Sequence, residues 1–221
     1  MTPFRPDAVL FDLDGTLLDS APDFHRILNQ LRQEQKLTPL DYDQVRQQVS
    51  NGAAAMIQQA FGSLRNSSEL EQLQQQLLQR YQDNPAQDSI LFDGMETQLQ
   101  TLEQAKIPWG IVTNKPERFC IPILQQLILD GRCGVLICPD HVSKRKPDPE
   151  GLFLACEKLN SRPDRCLYVG DHVRDIEAGQ NAGMITVGAL YGYLDKSDQP
   201  QHWNADLLIQ HPDELTDWLK L

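Results

Sequence analysis

The sequence predicts an α/β protein: a Rossmann-like, doubly wound parallel sheet with an α-helical cap domain inserted near the N-terminus. From about residue 89 onwards, short apolar runs alternate with amphipathic helical segments, which is typical of a parallel sheet covered by helices on both faces. Between about residues 20 and 88, in contrast, only helical periodicity occurs. The 221 residues are long enough for one large domain or one domain with an insert.

The first strand is predicted at residues 8–14, where an apolar run ends in carboxylates and is followed by Gly15-Thr16. Later apolar runs predict strands at 107–114, 135–138, 166–170, 184–190 and 205–209. Helices are predicted at 95–104, 149–159, 175–182 and 212–219, and another begins at Lys115-Pro116-Glu117. A ligand site of such a sheet is expected at the carboxyl ends of its strands.

The insert is predicted from two amphipathic patterns. Apolar residues over 24–31 are spaced at i, i+3, i+4 and i+7, and a leucine stripe repeats this pattern over 70–81. Ser68 and Glu71 fit a capping box at the start of the second helix. We therefore expect a catalytic core formed by residues 1–18 and 89–221, with a helical cap formed by residues 19–88.

Charge and composition exclude several classes of partner. The chain has 31 acidic and 20 basic side chains, a net charge of −11 at pH 7, which argues against a nucleic-acid backbone or an anionic membrane as partner. A small anionic substrate stays compatible, because a few local cations or a metal reverse the charge inside one cleft. We expect a monomer or homodimer that binds a small molecule.

The cysteines and the N-terminus indicate a cytoplasmic protein. The five cysteines are odd in number and contain no CxxC pair, so they are interpreted as reduced thiols rather than as a disulfide framework or a zinc site. The N-terminal residues lack the charged region, long apolar stretch and cleavage site of a signal peptide.

Polar residues gather at four places that the predicted topology brings to one crevice. Three of these segments end a predicted strand, and the fourth lies just ahead of the 149–159 helix. The segments are Asp12-Leu13-Asp14-Gly15-Thr16, Thr113-Asn114, Lys146-Pro147, and Gly170-Asp171-His172-Val173-Arg174-Asp175. Each segment is a weak signal alone, and the four in this order are a strong one.

These residue types predict metal-assisted phosphate chemistry. Four crowded carboxylates (Asp12, Asp14, Asp171, Asp175) repel one another unless a cation lies among them, and oxygen ligands suit Mg²⁺. Lys146 adds positive charge, so the crevice can hold a tetrahedral dianion. One carboxylate can attack phosphorus, and a second can protonate the leaving oxygen and activate water. The expected partner is therefore a small phosphorylated metabolite.

The motifs DLDGT, TN at a strand end, KPDP and GDHVRD resemble the four motifs of the haloacid dehalogenase-like hydrolase superfamily, in the same order. A helical cap soon after the first motif resembles its phosphoglycolate phosphatase-like branch. The resemblance implies that Asp12 is the nucleophile and that Asp14 is the general acid/base, with its backbone carbonyl on the metal. Thr113 and the Asn114 backbone would bind the phosphate, Lys146 would neutralise it and orient Asp12, and Gly15 would form a substrate-binding turn that a side chain would obstruct. Asp171 would ligate Mg²⁺, and Asp175 would either be a second carboxylate on the ion or support the site without contacting the ion.

Longer segments give a finer resemblance. VTNKPERF, LICPDHV, GDHVRDIEAG and the tail over 191–206 look like those of the proteobacterial N-acetylmuramic acid 6-phosphate phosphatases, which implies a role in cell-wall recycling. Phosphoglycolate is the alternative substrate, and a sugar phosphomutase or a non-catalytic phosphoacceptor stays open. The presence of Asp14 argues against two other activities. A haloalkanoic acid dehalogenase would not need this residue, and a phosphonate hydrolase would need a small residue in its place.

Several residues near the motifs carry two interpretations. Ser20, Lys115 and Arg118 fit the border of the site or ordinary solvated positions equally well. His172 and Arg174 are expected to be surface or supporting residues. The Ser50-Asn51-Gly52 segment fits either an ordinary interhelix turn or a turn that leans towards the substrate.

Overall fold

The structure is a computed structural model that describes residues 5–195 and 197–221. Its centre is a six-stranded sheet in which every neighbouring pair is parallel. The strands are β1 (Ala8–Phe11), β4 (Trp109–Val112), β5 (Leu136–Ile137), β6 (Cys166–Gly170), β7 (Ile185–Ala189) and β8 (Leu207–Ile209). Their order across the sheet is β5-β4-β1-β6-β7-β8. The predicted doubly wound parallel sheet is therefore confirmed.

Helices cover both faces of this sheet. They are α5 (Met95–Gln104), α6 (Glu117–Gln126), α7 (Glu150–Lys158), α8 (Val173–Asn181) and α9 (Asp213–Leu219). Successive residues of β1 point to opposite faces, so Val9 and Phe11 join the core cluster that contains α5, α6 and α9. Ala8 and Leu10 join the second cluster with α7 and α8. All four residues of β1 are buried, as expected for a central parallel strand.

The topology places a crevice at the carboxyl end of β1. The chain proceeds from β1 to β4 and β5 on one side, and then returns to β6, β7 and β8 on the other side. Loops that leave β4 and β6 therefore separate above β1, which is where open α/β sheets bind ligands.

The chain between β2 (Leu18–Asp19) and β3 (Ile90–Leu91) forms the helical insert. These two short strands pair antiparallel and join the insert to the sheet. The buried Asp23 carboxylate accepts hydrogen bonds from the backbone of Asp88 and Ser89, which fixes the start of the insert against its end. The insert contains α1 (Ala21–Glu34), α2 (Tyr42–Arg46), α3 (Ala53–Phe61) and α4 (Ser67–Asp83), with a 3₁₀ turn at Val49–Asn51.

The start of α4 differs from the prediction. Asn66, rather than Ser68, is the N-cap: its side chain accepts a hydrogen bond from Glu69 N at 3.1 Å, and Glu69 Oε2 accepts one from Asn66 N at 2.9 Å. The predicted capping box at Ser68 and Glu71 is wrong because Asn66 has the extended backbone that an N-cap requires, whereas Ser68 is already helical.

None of the helices in residues 5–195 and 197–221 is long and apolar enough to cross a bilayer.

Candidate active site

Asp12 lies directly beyond the carboxyl end of β1. Its backbone N donates to Val169 O at 2.9 Å, which continues the pairing of β1 with β6 and fixes the position of the residue. The side chain is 12% exposed and faces the crevice. Asp12 Oδ1 lies 2.9 Å from Lys146 Nζ. This carboxylate is accessible to a ligand and has a cation beside it.

Lys146 supplies that cation from the loop that precedes α7. Its ammonium lies 2.7 Å from Asp175 Oδ1 as well as 2.9 Å from Asp12, and it donates to Tyr168 OH at 2.7 Å. Burial disfavours the charged ammonium and by itself would lower the pKa of Lys146. The carboxylates of Asp12 and Asp175 outweigh this effect and raise the pKa of Lys146. Lys146 is therefore a fixed positive charge at the floor of the crevice.

Asn114 holds the backbone of Lys146 in place. Asn114 Oδ1 accepts from Lys146 N at 3.1 Å, and Asn114 Nδ2 donates to Lys146 O at 3.2 Å. The neighbouring Thr113 Oγ1 accepts from Lys115 N at 3.2 Å. Because the Asn114 side chain is occupied in this way, its backbone and the hydroxyl proton of Thr113 are the groups available to a ligand, and both residues line the crevice.

Asp12, Asp171 and Asp175 form a group that can hold a metal ion. Each offers one carboxylate oxygen, and the three oxygens lie within 4.8 Å of one another. Asp171 Oδ2 accepts hydrogen bonds from Ser50 Oγ at 2.9 Å and Tyr193 N at 2.8 Å, whereas the buried Asp171 Oδ1 has no partner among the described residues. A buried carboxylate oxygen without a donor, inside an all-oxygen group, fits a hard divalent cation.

The electrostatics of this group also favour a cation. Burial, together with the charges of Asp175 and Asp12, raises the pKa of Asp171 to about 8. Burial likewise raises the pKa of Asp175, although Lys146 acts against the shift. Lys146 alone does not neutralise three carboxylates, so a divalent ion would stabilise their ionised forms.

Gly15 is required by the approach of Asp171. It has a φ of +85°, and an added Cβ would lie 2.1 Å from Asp171 Oδ2. A Cβ on Gly192 would likewise clash with Asp171, at its Cβ, and also with the Gly15 carbonyl. The structure therefore places Gly15 against the carboxylate group, where it leaves room for Asp171.

Asp14 lies outside the group of three carboxylates. Its carboxylate accepts from Ser20 Oγ at 2.6 Å and from Lys115 Nζ at 2.9 and 3.0 Å. Lys115 is 7% exposed and also donates to Tyr81 OH, on α4 of the insert, at 2.7 Å. Of the two interpretations of Lys115, the structure favours a site residue, because its ammonium links Asp14 to the insert. Its place immediately after Thr113-Asn114 was the available signal.

The turn at Ser50 leans into the crevice. Besides the contact with Asp171, the Ser50 carbonyl accepts a hydrogen bond from the Arg174 guanidinium. His172 caps α8 by accepting from Arg174 N at 3.2 Å, and burial and the charge of Arg174 lower the pKa of His172 to about 4. His172 and Arg174 therefore support the site, as the sequence predicted, and His172 is neutral at pH 7.

Tyr193 is a residue of the site that the sequence did not indicate. Its backbone N donates to Asp171, while its hydroxyl accepts from Ala21 N at 3.0 Å and donates to Asp19 Oδ1 at 2.7 Å. Tyr193 thereby joins the loop after β7 to the first residues of the insert. Tyr193 belongs to the tail over 191–206 that carries the finer resemblance, but no local pattern indicates these contacts, since all of the partners are distant in sequence.

The crevice opens into a cleft of about 430 Å³ between the sheet and the insert. Its floor contains Asp12, Asp14 and Thr113, and its opposite wall contains Asn51, Gln74 and Leu78 from the insert. Such an arrangement can hold a tetrahedral anion beside the Asp12 carboxylate, with the organic part of a ligand against the insert.

Comparison with known proteins agrees with this geometry. A family model described as haloacid dehalogenase-like hydrolase matches residues 9–189. The chain belongs to this family. The resemblance inferred from the four motifs is thereby confirmed, and the residues of this hydrolase that form the crevice from Asp12 to Asp175 fall within the matched range.

Relatives of this hydrolase include named phosphatases. The chain is 49% identical over 219 residues to the N-acetylmuramic acid 6-phosphate phosphatase of Pseudomonas aeruginosa, covering 99% of this chain and 97% of the relative. It is 46% identical over 210 residues to a phosphoglycolate phosphatase of Xanthomonas campestris pv. campestris, covering 95% of each. A crystal structure of a predicted phosphoglycolate phosphatase from Haemophilus somnus superposes with a TM-score of 0.84 at 27% identity, covering 98% of this chain and 99% of the other. The prediction of a phosphatase of this family is confirmed.

Proposed function

We propose that the protein is a Mg²⁺-dependent phosphomonoester hydrolase that acts on N-acetylmuramic acid 6-phosphate. The observation that carries this proposal is the buried group of Asp12, Asp171, Asp175 and Lys146, of which Asp12 lines a cleft that has room for a sugar phosphate. The name of the Pseudomonas aeruginosa relative, at 49% identity over nearly the whole chain, supports the choice of substrate.

Asp12, Asp171 and Asp175 would hold the Mg²⁺ ion, together with the backbone carbonyl of Asp14. When bound, the ion supplies positive charge that offsets the repulsion between the Asp12 carboxylate and the phosphate dianion. Lys146 contributes a second positive charge at the same point, and the Thr113 side chain and Asn114 backbone complete the phosphate site.

The reaction proceeds in two displacements. An Asp12 carboxylate oxygen attacks phosphorus, the bond from phosphorus to the ester oxygen breaks, and Asp14 donates its proton to the leaving alkoxide. Water then attacks the aspartyl phosphate while the Asp14 carboxylate accepts its proton, and the bond from phosphorus to Asp12 breaks to release inorganic phosphate. Ser20 and Lys115 contact the Asp14 carboxylate and hold it in position for both proton transfers.

Residues 19–88 act as a cap, and residues 1–18 and 89–221 act as the catalytic core. The cap wall of the cleft presents the amides of Asn51 and Gln74 beside the apolar Leu78 and Met56. Amides that can bond hydroxyl groups, next to apolar side chains, suit the two faces of an amino sugar. A two-carbon acid would leave most of the 430 Å³ cleft unfilled.

Phosphoglycolate is the second candidate substrate, because the relative from Xanthomonas campestris at 46% identity carries that name. The reacting groups would be the same for both esters. The two candidates therefore differ only in the organic group that the cap contacts.

Phosphate release from the two esters tests this proposal. We expect kcat/KM in the presence of Mg²⁺ to be at least about a hundredfold higher for N-acetylmuramic acid 6-phosphate than for 2-phosphoglycolate. The reverse preference would assign the enzyme to phosphoglycolate. Phosphate release that is unaffected by a chelator would contradict the metal site.

We also propose a cytoplasmic location and a monomeric or homodimeric state. The location is supported by the cysteines, all five of which are free, including Cys156 and Cys166, whose sulfur atoms are 3.8 Å apart.

A further inference from the structure

The cleft has an unusual balance of charge for this protein. The chain as a whole carries −11, yet four basic side chains line the cleft and only two acidic ones do so among the described residues. The basic residues are Lys115, Arg118, Arg145 and Arg174, and the acidic ones are Asp12 and Asp14. The excess of positive charge is therefore local to the cleft and favours an anionic ligand.

Two of these four cations already have partners in the protein. Lys115 contacts Asp14 and Tyr81, and Arg174 donates to the Ser50 carbonyl. The other two do not: within residues 5–195 and 197–221, neither the Arg118 nor the Arg145 guanidinium forms an ion pair or hydrogen bond. Arg118 lies over the Phe119 ring, 4.8 Å from its centre, and this contact leaves its N–H groups free.

The phosphate position does not require these two arginines. It is served by Lys146, Thr113, the Asn114 backbone and the metal group, which lie at the carboxyl edge of the sheet. Arg118 lies in the first turn of α6, and Arg145 directly precedes Lys146 in the loop before α7, so they reach the cleft from two separate segments. An arginine guanidinium is a planar fork that matches a carboxylate in two parallel hydrogen bonds.

We propose that Arg118 and Arg145 bind a carboxylate in the organic part of the substrate, so that the enzyme selects phosphomonoesters that carry a second anionic group. This inference rests on the proposed function and extends it from the phosphate to the rest of the ligand. N-acetylmuramic acid 6-phosphate and phosphoglycolate, the substrates in the names of the relatives, share this feature: both are carboxylic acids.

The test compares two sugar phosphates that differ at the carboxylate. N-acetylglucosamine 6-phosphate is the same amino-sugar phosphate without the lactyl group, so the ratio of kcat/KM for the two esters measures recognition of that group. We expect Arg118→Gln and Arg145→Gln each to lower this ratio by about tenfold to a hundredfold, mainly through KM for the acid. Arg118→Lys and Arg145→Lys are expected to retain part of the ratio, since they keep the charge and lose the fork.

Lys144→Gln is the matched control, because Lys144 is next to Arg145 in sequence but does not line the cleft. It should leave the ratio within about twofold of the parent protein. The inference is overturned if the arginine variants also leave the ratio within twofold, or if they lower activity equally on both esters, which would assign them to phosphate or to folding.

A binding measurement separates this inference from the proposed reaction. Calorimetric titration of both esters into Asp12→Asn protein, with and without each arginine substitution, reports the carboxylate contact in the absence of turnover. Tighter binding of the acid that depends on the arginines supports the inference even if the parent protein hydrolyses neither ester. Equal affinity for both esters contradicts it whatever the activity.

Discussion

At the carboxyl edge of the sheet, the side chains of Asp12, Lys146 and Asp175 are at most 12% exposed, and each charge faces an opposite charge within 2.9 Å. Across the cleft, Asn51 is exposed and Gln74 is half-buried, and both side chains are uncharged. One wall is therefore a buried network of charges, and the other is a partly solvated surface of amides and apolar groups.

This difference indicates that the sheet edge carries the reaction, whereas the opposite wall of the cleft contributes to the selection of the substrate. Loss of one partner from a buried charge network leaves another charge without compensation, so the geometry of the reacting groups tolerates little change. Side chains at a partly exposed wall can be replaced at small cost to stability. We therefore expect the substrate preference to be adjustable from the insert and from the arginines, while the phosphate chemistry depends on the sheet edge.

Replacement of the nucleophile at the sheet edge should have the largest effect. Asp12→Asn removes the attacking oxygen anion, so turnover should fall by at least about a thousandfold. Far-UV circular dichroism and the melting temperature in Mg²⁺-free buffer should show that the fold is kept. Retention of a tenth or more of the parent activity would refute the role of Asp12.

Removal of the buried ammonium tests the charge network itself. Lys146→Met leaves Asp12 and Asp175 without their cation, and the free energy of unfolding should fall by about 3 kcal/mol. Urea denaturation in chelator measures this change. Lys144→Met, on a side chain that is 74% exposed, is the control and should change stability by less than about 0.5 kcal/mol. Equal effects of the two variants would contradict a structural role for the network.

A methyl group at Gly15 separates steric exclusion from backbone strain. Gly15→Ala forces the new Cβ towards Asp171 Oδ2, so Mg²⁺ affinity should fall by about tenfold or more. Gly183 has a similar φ of +72°, but an added Cβ there meets nothing within 4 Å. Gly183→Ala should therefore introduce backbone strain without a steric clash and leave the Mg²⁺ affinity unchanged. Titration calorimetry measures the Mg²⁺ affinity of both variants. Equal losses in both variants would show that strain, and not the approach to Asp171, is decisive.

The pH dependence of metal binding tests the electrostatics of Asp171. Because its pKa is raised to about 8, the metal-free protein binds a proton there that Mg²⁺ must displace. Mg²⁺ affinity should rise with pH by up to about tenfold per unit and level off above pH 8.

In the metal-free protein, a rise in pH has the opposite effect, because it removes the contribution of Asp171 to the stability of the fold. A carboxyl group whose pKa is higher in the folded state stabilises the fold fully below about pH 4, and this contribution is lost as the pH rises through 8. The increase in melting temperature on addition of Mg²⁺ should therefore be larger at pH 8 than at pH 6. Asp171→Asn should abolish that difference, and a shift that is independent of pH in the parent protein would contradict the assignment.

The smallest effect is expected where the insert touches the acid/base residue. Tyr81→Phe removes the acceptor for Lys115 but keeps the ring, so kcat should fall by only a few-fold, with KM nearly constant. Tyr42→Phe, on α2 of the same insert, is the control. A loss as large as that of Asp12→Asn would mean that the insert takes part in the chemistry and would remove the distinction between the two walls.

The sequence alone was sufficient to predict the sheet, the helical insert and the four polar segments. Strands such as Ala8–Phe11 and Cys166–Gly170 are buried on both faces, so their apolar runs are continuous and are followed by polar residues at the sheet edge. The helices of the insert show their buried stripes as a 3.6-residue period. These signals are local, since they arise from the geometry of one element and the layer that it packs against.

Tertiary structure alone decided which side chains complete the site. Lys115 directly follows Thr113-Asn114, but that position is equally compatible with a solvated side chain, and its role depends on Asp14 and on Tyr81 of the insert meeting at its ammonium. Tyr193 supports Asp171 through a backbone N–H, which every residue other than proline possesses. The sequence by itself thus determined which strands are followed by carboxylates at their carboxyl ends. Only packing determined which distant donors reach them, because contacts between remote segments depend on how the loops close and leave no periodicity in the chain.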